Sequence, residues 1–510
     1  MKLNQILTDY FCQQNNIDIY APYKIEEMDA IDLLVPERID LIAKWKYIEY
    51  REKGFDLSYI KEVYTAHIEA FSNGNYTEPG NEDKNSIEKY FITFDRLIDN
   101  IKKNGINKSI SVIPVGQNNA IMDGAHRVAI AAYFNLKVPV IRFENLSVNY
   151  GATFFKNRLL SEKYIDYLVA EYCNLKNNLY FACVWPRAKG DMQMGNTAAL
   201  LNQGSKVLYS KKIKLSYDGL RNLIIQIYSG EDWIGNFSDN FSGALNKVDE
   251  CHDSENFLTI YILECSSLDK ILKLKSEIRE IFNVGNHSIH ITDNQKETIQ
   301  LARILLNSNS IEFLNQGKPD HYPEFNRKLE SFKKKLIAHN FSLDQFVIDS
   351  SSTLGLYGLR DVNDIDFMTI SREYEVIEND VNSNHHSYIN NYGTTIDDLV
   401  LNPNNYFIYN DMKFVTLDIL RIFKKNRNEE KDRSDIKLID SILTLRRRLR
   451  LLVLEVQPSS QRKIRNVMYY IMRKLAKLLR RMGMYKIVKE LYLYLFFRVI
   501  RKRLKYKIGK

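Results

Sequence analysis

The chain has 510 residues, 45% hydrophobic and 26% charged, so it is long enough for three or four globular domains with apolar cores. Its five cysteines are scattered, with no Cys-x-x-Cys pair, which argues against a disulfide framework and a cysteine zinc site. The net charge of +9 is uneven: residues 441–510 hold 21 Lys and Arg against Glu455 and Glu490, a charge of +19, so the remainder carries −10.

The N-terminal region predicts helices and a cytosolic location. Its first residues, MKLNQILTDYFCQQNN, lack an apolar signal core. Aromatic and charged residues are mixed over 1–105 in a pattern that favours mainly helices. Within that range, the polar segment 71–86 contains Gly and Pro and predicts a loop, in which Glu78 and Lys84 are candidates to contact a ligand. The alternative is a loop without a ligand.

Residues 109–144 predict a compact unit of strands around one helix. The pattern indicates strands at 112–115, 120–122 and 138–143, with a turn at Asn118–Asn119. The helix opens at 123–127, with the sequence DGAHR. A glycine at a helix start, flanked by His and Arg, offers free N–H groups and a cation to a phosphate.

This strand–DGxHR–helix–strand unit resembles the ParB/sulfiredoxin superfamily, whose members bind nucleotide phosphates at that helix start and include small-molecule kinases. The resemblance implies phosphate contacts by Gly124, His126 and Arg127, with Asp123 orienting His126 or acting in catalysis. A structural His-Arg helix cap is the alternative. DNA binding also occurs in the superfamily, but no helix-turn-helix pattern follows the motif here.

Residues 151–310 predict a β-α-β-β-α-β succession, which fits a ferredoxin-like layout. The predicted elements are a strand at 180–185, a strand at 206–215, a helix at 216–229, a strand at 257–265, a helix at 267–282 and a last strand and helix within 285–307.

The last of these segments, GNHSIHITDNQKE, resembles the catalytic stretch of nucleoside diphosphate kinases. The resemblance implies that His290 is the phosphate-accepting nucleophile and that Glu297 supports its ring. An imidazole attacks a phosphoryl group when one nitrogen is free and the other is held. The chain departs from the family at 185–187, where Trp-Pro-Arg replaces Lys-Pro-Asp; Arg187 and Lys247 are candidates to replace the lysine charge.

After a connector and helix predicted for 311–345, the stretch 346–370 (FVIDSSSTLGLYGLRDVNDIDFMTI) combines three features. An apolar run leads into small residues and glycines, and a β-like segment then carries Asp364 and Asp366. Because side chains alternate along a strand, the two carboxylates are expected to point the same way. Paired carboxylates bind divalent metals such as Mg²⁺ together with phosphate oxygens.

A Gly/Ser-rich turn followed by Asp-x-Asp resembles the nucleotidyltransferase superfamily, and most closely its LicD/fukutin-type branch from surface-polysaccharide loci. The resemblance implies Mg²⁺ or Mn²⁺ at Asp364 and Asp366, with ATP or another nucleoside triphosphate as substrate. The phosphate-binding candidates here are Ser351, Ser352, Gly355, Arg360 and Lys431. The alternative for the Asp-x-Asp segment is a solvated turn before an ordinary strand.

A further strand is predicted at 413–420, and it makes Asp418 the candidate third carboxylate, with Asp411 as competitor. The segment 424–439 predicts a charged helix, and its start resembles the helix after the core of small nucleotidyltransferases. The polar, Asn-rich range 374–410, with His385, His386 and Tyr388, predicts an insertion or a loop on the acceptor side.

The tail 441–510 predicts basic, aromatic helices on an anionic membrane surface, because apolar faces alternate with Lys and Arg. Its longest uncharged run, 491–497, is too short to span a bilayer. Nucleic acid is the less favoured partner.

Together the patterns predict a multidomain α+β protein divided at 1–150, 151–315, 316–440 and 441–510. The expected function is Mg²⁺-dependent nucleotidyl or phosphoryl transfer to a sugar, polyol or glycan acceptor in surface-polysaccharide biosynthesis, at the inner face of the membrane. The first two domains are either kinases or scaffolds. The alternatives are a ParB-like nucleic-acid-binding protein and a nucleotidyltransferase that modifies protein or RNA.

Overall fold

The computed structural model describes residues 2–77, 84–106, 112–236, 239, 241–379 and 381–443. Over these residues the chain is a mixed α+β protein with three separate sheets, which confirms the predicted class. One sheet lies in each of the predicted ranges 1–150, 151–315 and 316–440, hereafter the first, second and third units. The predicted membrane-binding tail lies outside the described residues from 444 onwards.

The first unit contains a three-stranded sheet in the order β1-β3-β2, with β1 antiparallel and β2 parallel to β3. Its elements are α1 (Asp9–Gln14), β1 (Glu26–Asp29), α2 (Asp40–Lys53), α3 (Ser58–Phe71), α4 (Ile87–Asn104), β2 (Ile113–Val115), α5 (Ala125–Tyr133) and β3 (Lys137–Arg142). Strand β1 was not predicted, because its sequence EEMD has no apolar alternation.

The strand predicted at 120–122 is absent and is replaced by one isolated bridge between Val115 and Ile121. Asn118 and Asn119 both have positive φ angles, 58° and 59°, which turn the chain sharply. The Asp123-Gly124 turn follows directly, so the segment 120–122 between the two turns is too short to form a regular strand.

The second unit contains a four-stranded antiparallel sheet in the order β5-β6-β4-β7. Its elements are α6 (Ala152–Asn157), α7 (Glu162–Leu175), β4 (Leu179–Val184), α8 (Asp191–Gly204), β5 (Lys206–Lys214), α9 (Tyr217–Ile227), α10 (Ser242–Cys251), β6 (Phe257–Glu264), α11 (Leu268–Phe282), β7 (Ile289–Ile291), α12 (Gln295–Leu305) and α13 (Ser308–Gln316). All four strands occur where the sequence pattern predicts them.

The third unit contains a five-stranded mixed sheet in the order β10-β9-β8-β12-β11. Its elements are α14 (Pro323–Ala338), β8 (Phe346–Ile348), α15 (Ser351–Leu356), β9 (Ile365–Thr369), β10 (Asn382–Asn384), α16 (Ile396–Leu401), β11 (Tyr406–Tyr409), β12 (Met412–Val415), α17 (Leu417–Arg427) and α18 (Glu430–Ile442). The range 374–410, predicted as an insertion or loop, thus supplies two strands and a helix.

The strand predicted at 413–420 is shorter than expected. It ends at Val415, because the Thr416 side chain accepts a hydrogen bond from the Ile419 N–H at 3.3 Å and caps α17. Asp418 therefore lies in the first turn of a helix, where a carboxylate is favoured by the helix dipole. The charged segment 424–439, predicted as a helix, is divided between two helices: α17 ends at Arg427, and α18 begins at Glu430 after a capping box formed by Glu429 and Asp432.

The apolar cores cross the predicted domain boundaries. One buried cluster runs through the first and second units and reaches Ile408 on β11, whereas a second cluster fills the third unit. Polar contacts also join distant units: the Asp56 N–H donates to Asp397 at 2.8 Å. Among the described residues, no helix is both long and apolar enough to cross a bilayer.

Candidate functional site

The topology of the third sheet brings two aspartates together. Asp349 directly follows β8, and β9 runs antiparallel to β8 with Ile348 paired to Phe367. Asp349 is therefore opposite Asp366, and its N–H donates to the Asp366 carbonyl at 2.9 Å. Both side chains are buried, with 0% and 6% of their surface exposed.

His385 completes the group. It directly follows β10, which runs parallel to β9, and its N–H donates to the Phe367 carbonyl at 2.8 Å. Its Nδ1 lies 3.2 Å from Asp349 Oδ1, and its Nε2 lies 3.1 Å from Asp366 Oδ1. The imidazole thus lies between two buried carboxylates.

The charges of these three side chains stabilise one another. Burial alone would lower the pKa of His385, but the Asp349 and Asp366 carboxylates raise that pKa to about 10. Burial would raise the pKa of Asp366, but hydrogen bonds from His385 and Ser383 hold that pKa below its usual value. At neutral pH the group therefore contains a protonated imidazole between two carboxylates.

The donor set also fits a divalent metal ion. One ligand atom of each residue lies within 4.8 Å of the other two. Asp349 Oδ1 and His385 Nδ1 are buried and, although close, form no hydrogen bond of acceptable geometry. Two carboxylates with one imidazole suit Mn²⁺ or a similar transition metal, and carboxylates with substrate phosphates suit Mg²⁺.

Neighbouring side chains hold both carboxylates in place. The Tyr392 hydroxyl donates to Asp349 Oδ2, and its ring stacks on Phe423 with centroids 4.4 Å apart. The Ser383 hydroxyl donates to Asp366 Oδ1 at 2.9 Å.

The serine-rich turn predicted to bind phosphate lies next to this group. Ser350, which precedes α15, has φ 55° and ψ −130°, a strained conformation for a residue with a Cβ. Ser351 and Ser352 are buried, and the Ser352 hydroxyl donates to the Asp364 carbonyl at 3.4 Å. Gly355 is also buried. A Cβ at this position would lie 2.4 Å from Val362 Cγ2, so close packing accounts for the glycine.

Two of the three predicted metal-binding aspartates are not in the group. Asp364 is exposed and precedes β9 by one residue, whereas Asp366 is buried on that strand. Asp418 lies on α17, and neither it nor Asp364 belongs to the cluster of ligand atoms. Asp411, the competitor of Asp418, pairs with Lys333 at 3.0 Å.

Both cations predicted to bind phosphate in the third unit are engaged with acids. Arg360 Nη1 donates to both oxygens of Asp435, at 2.9 and 3.0 Å. Asp435 also pairs with the buried Lys424 at 2.7 Å. Lys431 is 63% exposed and lies 3.2 Å from Glu429. The contacts of Asp435 with Arg360 and Lys424 tie α18 to the rest of the third unit.

In the first unit the DGAHR residues separate into two groups. Gly124 has φ 82° at the start of α5, and its N–H donates to the Asp123 carboxylate at 2.6 Å. Asp123 and Arg127 border a small cleft of ≈160 Å³ together with Thr8. His126 does not line this cleft.

His126 instead lies in an aromatic cluster. Its Nε2 is 2.7 Å from the Tyr64 hydroxyl, and the edge of Phe94 is packed against its ring at 4.7 Å. Burial lowers the pKa of His126 well below its usual value. His126 is half-buried within this cluster, and its contact with phosphate stays a prediction.

In the second unit His290 lies on β7, opposite Cys183 of β4. Its Nδ1 is 3.2 Å from the Tyr228 hydroxyl, and its buried Nε2 has no hydrogen-bond partner. Burial lowers the pKa of His290 to about 3, with Lys275 acting in the same direction. Glu297 does not support this ring as expected; it accepts a hydrogen bond from the Asp293 N–H at 3.1 Å.

Asp349 and His385 belong to the site, although no sequence pattern predicted them as ligands. Asp349 had a usable signal, since it ends the apolar run FVID directly before the serine turn. His385 had none, because its contacts depend on β10 pairing with β9.

No protein-family model, curated protein or solved structure matches this chain. The function proposed below is therefore based on the geometry of the third unit.

Proposed function

We propose that this protein is a metal-dependent nucleotidyltransferase or phosphotransferase with its centre at Asp349, Asp366 and His385. The observation that supports the proposal is the convergence of three buried metal-ligating side chains beside a strained serine turn. The Asp-x-Asp segment resembles that of LicD/fukutin-type nucleotidyltransferases. This resemblance implies the substrates: a nucleoside triphosphate and a sugar, polyol or glycan acceptor of the cell surface.

The chain's own residues hold the centre. Asp349 and Asp366 supply carboxylate oxygens, and His385 supplies a ring nitrogen once it has lost a proton, because a metal binds only neutral imidazole. A bound Mg²⁺ or Mn²⁺ would neutralise phosphate charge and position the phosphoryl group for in-line attack. Tyr392 and Ser383 orient the carboxylates. Asp364, exposed two residues before Asp366, is the proposed contact to substrate.

The test is nucleotide turnover by the full-length protein. ATP, GTP, CTP and UTP are each incubated with Mg²⁺, Mn²⁺ or EDTA, and released phosphate and pyrophosphate are measured. Asp366→Asn and Asp349→Asn should abolish metal-dependent turnover. Asp361→Asn, an exposed carboxylate on the same connection, should leave it unchanged. Full activity in Asp366→Asn would exclude this centre.

A second candidate activity is phosphate transfer through His290, as the resemblance to nucleoside diphosphate kinases implies. Two features support it: one ring nitrogen is held by Tyr228 and the other is unpartnered, and the antiparallel order β5-β6-β4-β7 suits a ferredoxin-like layout. γ-Labelled ATP should then give an acid-labile, base-stable label that His290→Ala lacks and His287→Ala retains. A label that persists in His290→Ala would reduce this unit to a scaffold.

A further inference from the structure

A pocket of ≈530 Å³ lies where the three units meet, and we call it the junction pocket. Its walls come from α2, α7, α12, β11 and β12, and from the segment that leads into β8. Gln345 and Ile370, which line it, flank the ends of β8 and β9 opposite to Asp349 and Asp366. At about 3.3 Å per residue, four residues of strand separate the pocket from the candidate metal centre by roughly 13 Å.

Aromatic side chains form much of the lining. Tyr50, Tyr59 and Tyr167 are buried, and the other aromatic lining residues are Trp45, Phe55 and Tyr406. The edge of Tyr59 is packed against Tyr167 with centroids 5.3 Å apart. The Tyr167 hydroxyl lies beside that of Tyr50 without a hydrogen bond of ordinary geometry. These rings provide a surface for a flat ligand and an unused polar group within it.

A buried cation faces the same space. Lys413 is 5% exposed, and its ammonium donates to the carbonyl oxygens of Asp344 and Val400 at 2.7 and 2.8 Å. An ammonium has three N–H donors, and the two carbonyls take two of them. The Lys413 ammonium also lies 4.8 Å from the centroid of the Tyr406 ring, so a bound anion would meet it beside this ring. The nearest acidic oxygen, Asp344 Oδ1, lies 3.9 Å away, beyond hydrogen-bond distance. Arg303 adds a second cation, paired with Asp344.

The other charges of the pocket come as pairs. Lys46 lies 2.5 Å from Glu49 and 3.0 Å from Glu171, and Lys53 donates to the other oxygen of Glu49 at 2.7 Å. Each carboxylate oxygen has two lone pairs, so Glu171 can still accept from a hydroxyl group. The lining as a whole has five cationic and four acidic side chains, a net charge of +1. A ligand with a flat ring, hydroxyl groups and an anionic group matches this set.

We propose that the junction pocket binds a nucleotide, with its base against the tyrosine rings and its phosphate at Lys413 and Arg303. The volume lies within the range of about 300–1,000 Å³ that is usual for small-molecule sites, and such sites favour domain interfaces. The pocket lies at the end of β8 and β9 that is far from the metal centre. The binding itself requires no metal and does not depend on the proposed transfer reaction.

The test separates the two sites by metal and by mutation. The full-length protein in EDTA is titrated calorimetrically with ATP, GTP, CTP and UTP. Lys413→Met should weaken binding of the preferred nucleotide roughly tenfold or more, since a charged hydrogen bond is lost. Tyr167→Phe removes one hydroxyl, and Asn404→Asp adds a negative charge at the exposed rim; both should weaken binding severalfold. The exposed Lys137→Met should bind as the wild type does.

Local fluorescence gives a second readout. Trp45 lines the pocket and is one of three tryptophans, so a nucleotide-dependent change in emission should disappear in Trp45→Phe. If Lys413→Met fails to fold, Tyr167→Phe and Asn404→Asp carry the test. No binding of any nucleotide up to about 1 mM, the upper end of ordinary affinities, overturns the proposal. Binding that is lost in Asp366→Asn but kept in the pocket variants overturns it as well.

Discussion

Asp349 and Asp366 face each other across two antiparallel strands, joined by a backbone hydrogen bond of 2.9 Å between the Asp349 N–H and the Asp366 carbonyl. This pairing places two carboxylates side by side in a buried position, where neither is stable as an isolated charge. His385 offsets that charge with a proton, and a metal ion would do so with a divalent charge. The two states share the same oxygen atoms and therefore compete.

The first prediction concerns metal binding. Mn²⁺ or Mg²⁺ should raise the thermal midpoint of the wild-type protein. At a metal concentration 100 times the dissociation constant, the free energy of unfolding should rise by about 2.7 kcal/mol. Asp366→Asn and Asp349→Asn should show no such rise, because each removes one ligand charge. Scanning fluorimetry with and without EDTA measures this, with Asp361→Asn as the control that should respond normally. An equal metal response in all four proteins would place the ion elsewhere.

The second prediction concerns pH. The pKa of His385 is raised from 6.5 to about 10 in the folded protein. The protonated imidazole therefore makes its full contribution to the free energy of unfolding below pH 6.5. The stabilisation declines as pH rises from 6.5 to about 10 and is lost above that, with a slope of at most about 1.4 kcal/mol per pH unit.

Chemical denaturation in EDTA at about pH 6.5 and pH 9 tests this slope. The wild-type protein should lose more stability over this interval than His385→Gln, which cannot hold the proton. Parallel losses in both proteins would mean that His385 does not keep its proton in the folded state.

The third prediction concerns the hydroxyl that supports Asp349. Tyr392→Phe leaves a buried carboxylate without this donor and should destabilise the folded state by about 1–3 kcal/mol. Tyr388→Phe is the matched control, since Tyr388 is 38% exposed and should change stability by less than about 0.5 kcal/mol. Urea unfolding of the two variants gives the comparison. Similar decreases in the free energy of unfolding of both variants would show that the Tyr392–Asp349 hydrogen bond does not contribute more than an exposed hydroxyl does.

The fourth prediction separates packing from ligand binding at Gly355. Gly355→Ala brings a Cβ to 2.4 Å from Val362 Cγ2 and should destabilise the third unit by about 1–3 kcal/mol. Gly195→Ala on α8 is the control: no atom lies within 4 Å of its Cβ, so the change should be neutral or stabilising by up to about 1 kcal/mol. Thermal unfolding compares them. A stable Gly355→Ala that loses only nucleotide binding would restore the phosphate role.

The fifth prediction concerns residues 444–510, whose structure is not described. Each basic residue near an anionic bilayer contributes about 1 kcal/mol before screening. The full-length protein should therefore sediment with anionic liposomes, and a chain ending at residue 443 should not. Neutral liposomes are the control. Equal binding to both lipids, or tighter binding to DNA than to anionic lipid at physiological salt, would assign the tail another partner.

Elements with local sequence patterns could be predicted from the amino-acid sequence. Apolar runs predicted the strands of the second unit, and the serine turn with Asp-x-Asp placed Asp366 at the start of β9. These features follow from side-chain alternation and turn chemistry within a few residues. The boundary at Thr416 was misplaced because a capping residue ended an apolar run that otherwise continues.

The composition of the site and of the junction pocket depends on contacts between residues that are distant in the sequence. His385 reaches Asp349 because β10 pairs with β9, across a connection of low hydrophobicity that gives no periodic signal. Lys413 and Tyr167 come together from different units, more than two hundred residues apart in sequence. Such contacts depend on strand order and unit packing, which local sequence patterns do not encode.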